Sequence, residues 1–253
     1  MQVVLLAAGM GLRLGHLTRA LPKALIRLNG KPLIDYTLPR LLANKRVEEV
    51  VVVGGFEHGN LERHLDENYS LFGDRLRLVE NRAFTRGNLY TMEAALPYLS
   101  ASFLVCNVDH VFSEKTWAFI LQERPEPAIF CDFLRSLAED EMKVLLDADK
   151  RVVDMAKTLE SYDAGYVGLT YMTADKIELY REALAETASA RGDKAVVENV
   201  LPVMAAQGEA IRVIPFDKNV WYEVDTREDL AKAEAALRAL EAEEAADAAL
   251  RFS

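Results

Sequence analysis

The chain is short of cysteine, of clustered basic charge and of long apolar runs, and each shortage closes off a class of protein. Only two cysteines, Cys106 and Cys131, occur in 253 residues. A disulfide framework uses more, so both read as buried free thiols in the apolar stretches FLVC and AIFC. The formal net charge is −10, with Lys and Arg dispersed along the chain. A nucleic-acid-binding surface gathers them on one face, so no nucleic-acid partner is expected. No apolar run approaches the roughly 18 residues of a membrane-spanning helix, so no membrane span is expected. The start, MQVVLLAAGMGLRLG, lacks a basic leader and reads as a strand rather than a signal peptide, which gives a cytoplasmic location as the expectation. With no Pro- or Ser-rich linker and no internal repeat, residues 1–253 are expected to form a single domain.

What is present is an alternation of two periods. VVLLA at 3–7, VEEVVVVG at 47–54, LRLVE at 76–80 and SFLVCNVD at 102–109 are strand-like. Between them, Leu33–Leu42, Asn60–Leu65, Leu89–Leu96 and Thr116–Leu121 have helical spacing, and Pro97 stops the third. This predicts an α/β fold, a mainly parallel sheet with helices on both faces and its ligand site beyond the carboxyl ends of the strands. The middle of the chain is denser in short strands: AIFCDFL, MKVLLD, VVDMA and AGYVGLTYM, which predict a small antiparallel extension. Helices are expected over 173–187 and 193–206, then strands AIRVIPF and VWYEVD. A last helix is expected over about 226–248, opened by Thr226 with Glu228 and Asp229. Its distal part, EAEEAADAALRFS, is a candidate interface, and a homodimer is one arrangement it allows.

The strongest local signal is LLAAGMGLRLGHLTRALPKAL, residues 5–25. A strand breaks into a loop carrying Gly9, Gly11 and Gly15, where the backbone can approach a ligand and turn its N–H groups toward an anion. Arg13 and Lys23 add a forked cation and a point charge, a combination suited to a triphosphate. Two other Gly-rich motifs fail on spacing. A dinucleotide fingerprint needs glycine where Leu14 stands, and a phosphate-binding Gly-Lys-Ser/Thr loop is excluded by Pro32 after Gly30-Lys31.

Leu-x-x-Gly-x-Gly-x-Arg followed by Lys23 within Pro-Lys-Ala-Leu resembles the signature of the sugar-phosphate nucleotidyltransferases. The resemblance implies their fold, a Rossmann-like mixed sheet, and a loop that wraps a nucleoside triphosphate. It assigns Leu6, Ala7, Ala8, Gly9 and Gly11 to the nucleotide, and Arg13 and Lys23 to its phosphates. Leu12 stands where the family usually has Thr. Asn-Val-Asp-His at 107–110 and Val-Asp-Thr-Arg-Glu-Asp-Leu at 224–230 resemble the family's two metal-binding segments, with Asn107 where glycine often stands. From spacing alone Asp109 and Asp225 are turn or cap residues. The resemblance makes them ligands of Mg²⁺, which favours carboxylates together with phosphate oxygens.

Other roles rest on the same resemblance. Lys143, in the strand and turn EMKVLLDADKRV, is otherwise a solvated strand lysine; the related cytidylyltransferases place a lysine there against the acceptor phosphate. Gly87 and Asn88 fall beside the base or ribose, with Asn88 equally readable as a helix cap. Asp132, Gly165, Tyr166, Glu198 and Trp221 fall in acceptor-pocket segments, where Tyr166 and Trp221 also read as core aromatics. Across most of the chain the pattern is similar to the CTP:inositol-1-phosphate cytidylyltransferases, through NVDHVF, MKVLLD, AGYVGL and VWYEVDTREDLAKA. Those enzymes are often fused to a membrane transferase domain, and no such domain is expected within residues 1–253. The expected reaction is transfer of a nucleoside monophosphate, CMP from CTP, to a phosphorylated small alcohol such as inositol 1-phosphate, with release of pyrophosphate. Phosphocholine, a phosphonate or a sugar 1-phosphate are alternative acceptors. A nucleotide-binding regulatory protein and a glycosyltransferase are the rival classes, although the latter typically carries Asp-x-Asp where this chain has Asn107-Val108-Asp109.

Overall fold

The computed structural model describes residues 1–217 and 221–251, with side chains through residue 239. In chain order the first half is β1 (Gln2–Ala7), the hairpin β2 (Arg27–Leu28) and β3 (Lys31–Pro32), α1 (Leu33–Ala43), β4 (Glu49–Gly54), α2 (His58–Tyr69), β5 (Leu76–Glu80) and α3 (Leu89–Ala95). Next come β6 (Phe103–Asn107), β7 (His110–Phe112), α4 (Glu114–Ile120), β8 (Ala128–Asp132), β9 (Lys143–Leu146), β10 (Val152–Ala156) and β11 (Ala164–Met172). The chain finishes with α5 (Ile177–Arg191), α6 (Val200–Ala206), β12 (Arg212–Pro215), β13 (Trp221–Glu223) and α7 (Arg227–Arg251).

The main sheet runs β10-β9-β11-β6-β1-β4-β5, with β8 added against β11 and β12 against β8. The pairs β1–β4, β1–β6 and β4–β5 are parallel, whereas β11 runs antiparallel to β6, β8 and β9. The mixed, mainly parallel sheet and its antiparallel extension are therefore both present. Strand periodicity decides which side chain goes to which face. Val4, Leu6, Val51, Val53 and Val105 point to a core covered by α3, α5 and α6, while Val3, Leu5, Val50, Val52 and Leu104 meet α1, α2 and α4. Apolar residues on both faces explain why these strands read as continuous runs rather than as alternations.

Two expected helices differ. The first, expected over 173–187, is Ile177–Arg191, preceded by a 3-10 turn and ended by Gly192 at φ 56°. The second, expected over 193–206, begins only at Val200. Before it, side chains cap a succession of short turns: Asn88 Oδ1 accepts from Val197 N at 2.9 Å and Asn199 Oδ1 from Val196 N at 3.3 Å. The last helix starts as expected. Thr226 Oγ1 accepts from Asp229 N at 3.1 Å, and Asp229 Oδ2 accepts from Thr226 N at 2.9 Å, a reciprocal cap that fixes the chain immediately after Asp225. Val220 and the side chains of EAEEAADAALRFS lie outside the described residues.

Candidate active site

A cleft of about 1030 Å³ opens beyond the carboxyl ends of β1 and β6, where a doubly covered sheet leaves its ligand crevice. The loop after β1 forms one wall. Gly11 adopts φ 62°, a left-handed conformation that glycine takes without strain, and a Cβ there would lie 2.9 Å from Thr18 Cγ2. Thr18 Oγ1 donates to the Gly11 carbonyl at 3.0 Å, and Lys23 N donates to the Gly9 carbonyl at 3.4 Å. These bonds fold the loop back so that Leu6, Ala8, Gly9, Arg13 and Lys23 all line the cleft. Ala7 points the other way, into the opposite core, as strand alternation requires. Gly11 shapes the loop without lining the cleft. Leu12 is 74% exposed, so the position usually held by Thr offers only an apolar side chain to solvent.

Asp109 and Asp225, far apart in sequence, meet at the floor of this cleft. Neither is a strand terminus: each lies two residues beyond its strand, past Asn107 and Glu223. Lys23 Nζ donates to Asp109 Oδ2 at 2.5 Å and also to Asp225 Oδ1. Arg13 bonds the other oxygen of Asp225 and reaches Asp140 Oδ2 at 2.7 Å. Lys23 is 7% exposed. Burial works against its charge, but the two aspartates outweigh it and raise its pKa. Burial would likewise push Asp109 up, yet Lys23 and His110 hold it well below the usual carboxylate range. Among the described residues Glu223 makes no ion pair; burial, with the nearby Asp109 and Asp225 charges, outweighs His110 and pushes its pKa up to about 7.

His110, given no role by its sequence, is buried against this cluster. Its Nδ1 bonds Asp109 Oδ1 at 2.7 Å, and its ring stacks on Trp221 at 5.3 Å between centroids. Ligating atoms of Asp109, His110 and Glu223 lie within 4.8 Å of one another. A hard divalent cation is better matched by Asp109 and Asp225, whose carboxylate oxygens already flank a cation in the form of the Lys23 ammonium.

The opposite wall carries Asp132, Tyr166, Glu198 and Trp221, together with Asn88. Asp132 Oδ1 accepts from Leu134 N at 2.9 Å and Arg135 N at 3.0 Å, which shapes the turn after β8. The Arg135 guanidinium lies over the Trp221 ring at 4.9 Å. Burial raises the pKa of Glu198. Asn88 stands at the N-cap position of α3, but its side chain bonds Val197 N and makes no cap bond to that helix.

Besides Ala7 and Gly11, three expected site residues do not line the cleft. Gly87 packs against Ala195, where a Cβ would come within 1.8 Å of the Ala195 carbonyl oxygen. Gly165 packs under Leu137, with a Cβ position 2.5 Å from Leu137 Cδ2. Lys143 lies on the face opposite to Met142, which does line the cleft. Its Nζ donates to the Lys157 carbonyl at 2.6 Å, and it is Lys157 that lines the cleft. A second lysine just after the strand VVDMA was the available signal for that residue.

Residues 3–244 match the family of MobA-like NTP transferase domains. The chain belongs to that family. It is 29% identical over 227 residues to the bifunctional IPC transferase and DIPP synthase of Rubrobacter xylanophilus, covering 89% of this chain and 49% of that protein. The chain spans about half the length of the bifunctional relatives it matches. It is 31% identical over 175 residues to the 2-aminoethylphosphonate cytidylyltransferase of Lancefieldella rimae, covering 68% of this chain and 66% of that protein. In fold it is similar to the inositol-1-phosphate CTP transferase from T. maritima, with a TM-score of 0.75 and 23% identity over 92% of this chain and 94% of that one. Among the described residues no helix is long and apolar enough to cross a membrane.

Proposed function

We propose that this chain is a cytidylyltransferase that moves CMP from CTP to a phosphorylated polyol of the inositol 1-phosphate class and releases pyrophosphate. The observation that carries the reading is the convergence of Asp109 and Asp225 on Lys23 beneath the Gly9–Arg13 loop. A regulatory protein has no need to gather two carboxylates on one lysine beneath such a loop.

In the reaction an oxygen of the acceptor phosphate attacks the α-phosphorus of CTP. One P–O bond forms, the bond to the β-phosphate breaks opposite it, and the electron pair leaves with pyrophosphate. The acceptor phosphate is ionised near neutral pH, so positioning and charge stabilisation supply the catalysis. Arg13 and Lys23 bind the phosphates that depart. Asp109 and Asp225 would hold Mg²⁺, which when bound neutralises charge on the triphosphate. Lys157 and Arg135 receive the acceptor phosphate, and Asp132 and Glu198 take its hydroxyls.

Trp221 supports a polyol over phosphocholine. A quaternary ammonium needs an aromatic face, and this ring is already engaged by the His110 imidazole and the Arg135 guanidinium.

The test is pyrophosphate release from a matrix of nucleoside triphosphates against inositol phosphate, phosphocholine, 2-aminoethylphosphonate and sugar 1-phosphates. CTP with inositol 1-phosphate is expected to be fastest, and Asp109→Ala to abolish turnover while the protein stays folded. Full activity in that variant refutes the reading.

A further inference from the structure

The two oxygens of Asp109 have different partners. Oδ2 takes the Lys23 ammonium at 2.5 Å, whereas Oδ1 is held by His110 Nδ1 at 2.7 Å. An ionised carboxylate only accepts, so the proton of the second bond resides on Nδ1. The imidazole is gripped from several sides. It is 4% exposed, lies with an interplanar angle of 5° to Trp221, and has Phe112 at 6.1 Å. The backbone of β11 also closes on it. Gly168, at φ 72°, lacks the Cβ that would lie 2.7 Å from His110 Nε2. A phenylalanine offers the same stacking surface. What histidine adds is the Nδ1–H aimed at Asp109.

We propose that His110 is a positioning residue: it clamps Asp109 through Oδ1 so that Oδ2 alone is presented to the cation of the transfer site. The inference rests on the reading of Asp109 as a cation ligand. Outer partners that fix a ligand's orientation change metal affinity or activity by about 10–100-fold when removed. Trp221 and Gly168 extend the clamp, since one stacks on the ring and the other leaves it room.

The experiment compares His110→Phe, which keeps a ring and loses the donor, with His110→Asn, whose amide reaches the Nδ1 position. Mn²⁺ binding to the nucleotide-free protein is titrated by electron paramagnetic resonance. The Phe variant is expected to bind Mn²⁺ about 10–100-fold more weakly, and the Asn variant to recover most of the loss. In pyrophosphate release, kcat is expected to fall in the Phe variant while the acceptor KM stays put. If the Phe variant does not fold, His110→Gln, whose amide reaches the Nε2 position, takes its place with the same expected loss. Wild-type Mn²⁺ affinity in the Phe or Gln variant overturns the proposal. So does an Asn variant as weak as the Phe variant, which assigns His110 to packing alone. A wild-type protein that binds Mn²⁺ as described but releases no pyrophosphate from any substrate pair overturns the transferase reading instead, and the two failures are told apart.

Discussion

Lys23 and Asp109 form an ion pair of 2.5 Å in which the ammonium also bonds Asp225, so one buried lysine is shared by two partly buried carboxylates. The same lysine is the expected partner of the departing phosphates, and it cannot serve both at full strength. Lys23→Ala is therefore expected to bind Mn²⁺ more tightly than wild type without nucleotide, although it turns over far more slowly. Without metal the variant leaves Asp109 with His110 and Asp225 with Arg13 but removes the cation they share, so its stability should fall. Thermal unfolding should show a lowered midpoint that added Mg²⁺ restores. Looser Mn²⁺ binding in this variant counts against the two-carboxylate site.

Lys157 and Lys143 divide the work expected of one lysine. Only Lys157 lines the cleft, while Lys143 holds the Lys157 carbonyl at 2.6 Å. Losing a charge-assisted bond to the acceptor phosphate should raise the acceptor KM of Lys157→Ala by about 10–100-fold and leave the KM for CTP unchanged. Lys143→Ala should have a smaller effect of the same kind. Steady-state kinetics in both substrates decide between them, and a larger effect at Lys143 reverses the assignment.

Glu198 gives a signed pH dependence. Burial raises its carboxyl above the ordinary 4.5. The fold therefore keeps this proton longer than the unfolded chain does. Stability is intact below about pH 4.5 and is lost as pH rises through the higher folded value, by up to about 1.4 kcal/mol per pH unit. Glu198→Gln cannot ionise, so its stability relative to wild type should improve between pH 5 and pH 8. Urea unfolding at the two pH values measures it, and parallel curves contradict the burial argument.

Gly87→Ala tests a close approach of two backbones. The added Cβ would meet the Ala195 carbonyl oxygen at 1.8 Å, and neither backbone is free to move, because Gly87 N donates to the Asp193 carbonyl at 2.8 Å. A loss of about 1–3 kcal/mol is expected from overpacking, read as a lower denaturation midpoint. An unchanged midpoint means that the 192–196 turn yields easily.

How much of this was legible in the sequence depends on whether local pattern or distant contact decides. The strands β1, β4 and β6 were legible because their apolar runs are buried on both faces, and the α7 start because Thr226 and Asp229 form a local cap. The loop after β1 was legible because glycines and cations stand close together in the chain. Asp109 and Asp225 were readable as partners only through family resemblance, because spacing says nothing of two strand ends meeting. That Lys143 lies off the cleft and Lys157 on it was not legible, because a strand's two faces cannot be told apart without its register. His110 was obscure for a related reason: its stacking on Trp221 joins β7 to β13, a pairing that only the folded chain reveals.

The indole of Trp221 has a use apart from catalysis. Trp117 and Trp221 are the chain's only tryptophans. Trp117 is 2% exposed and packs on Phe112 outside the cleft, so its emission has little reason to respond to ligands. Trp221 stands at the cleft between an imidazole and a guanidinium, both of which perturb an excited indole. The protein thus carries its own optical probe, and filling of the cleft can be followed by ultraviolet fluorescence in the unlabelled wild-type chain.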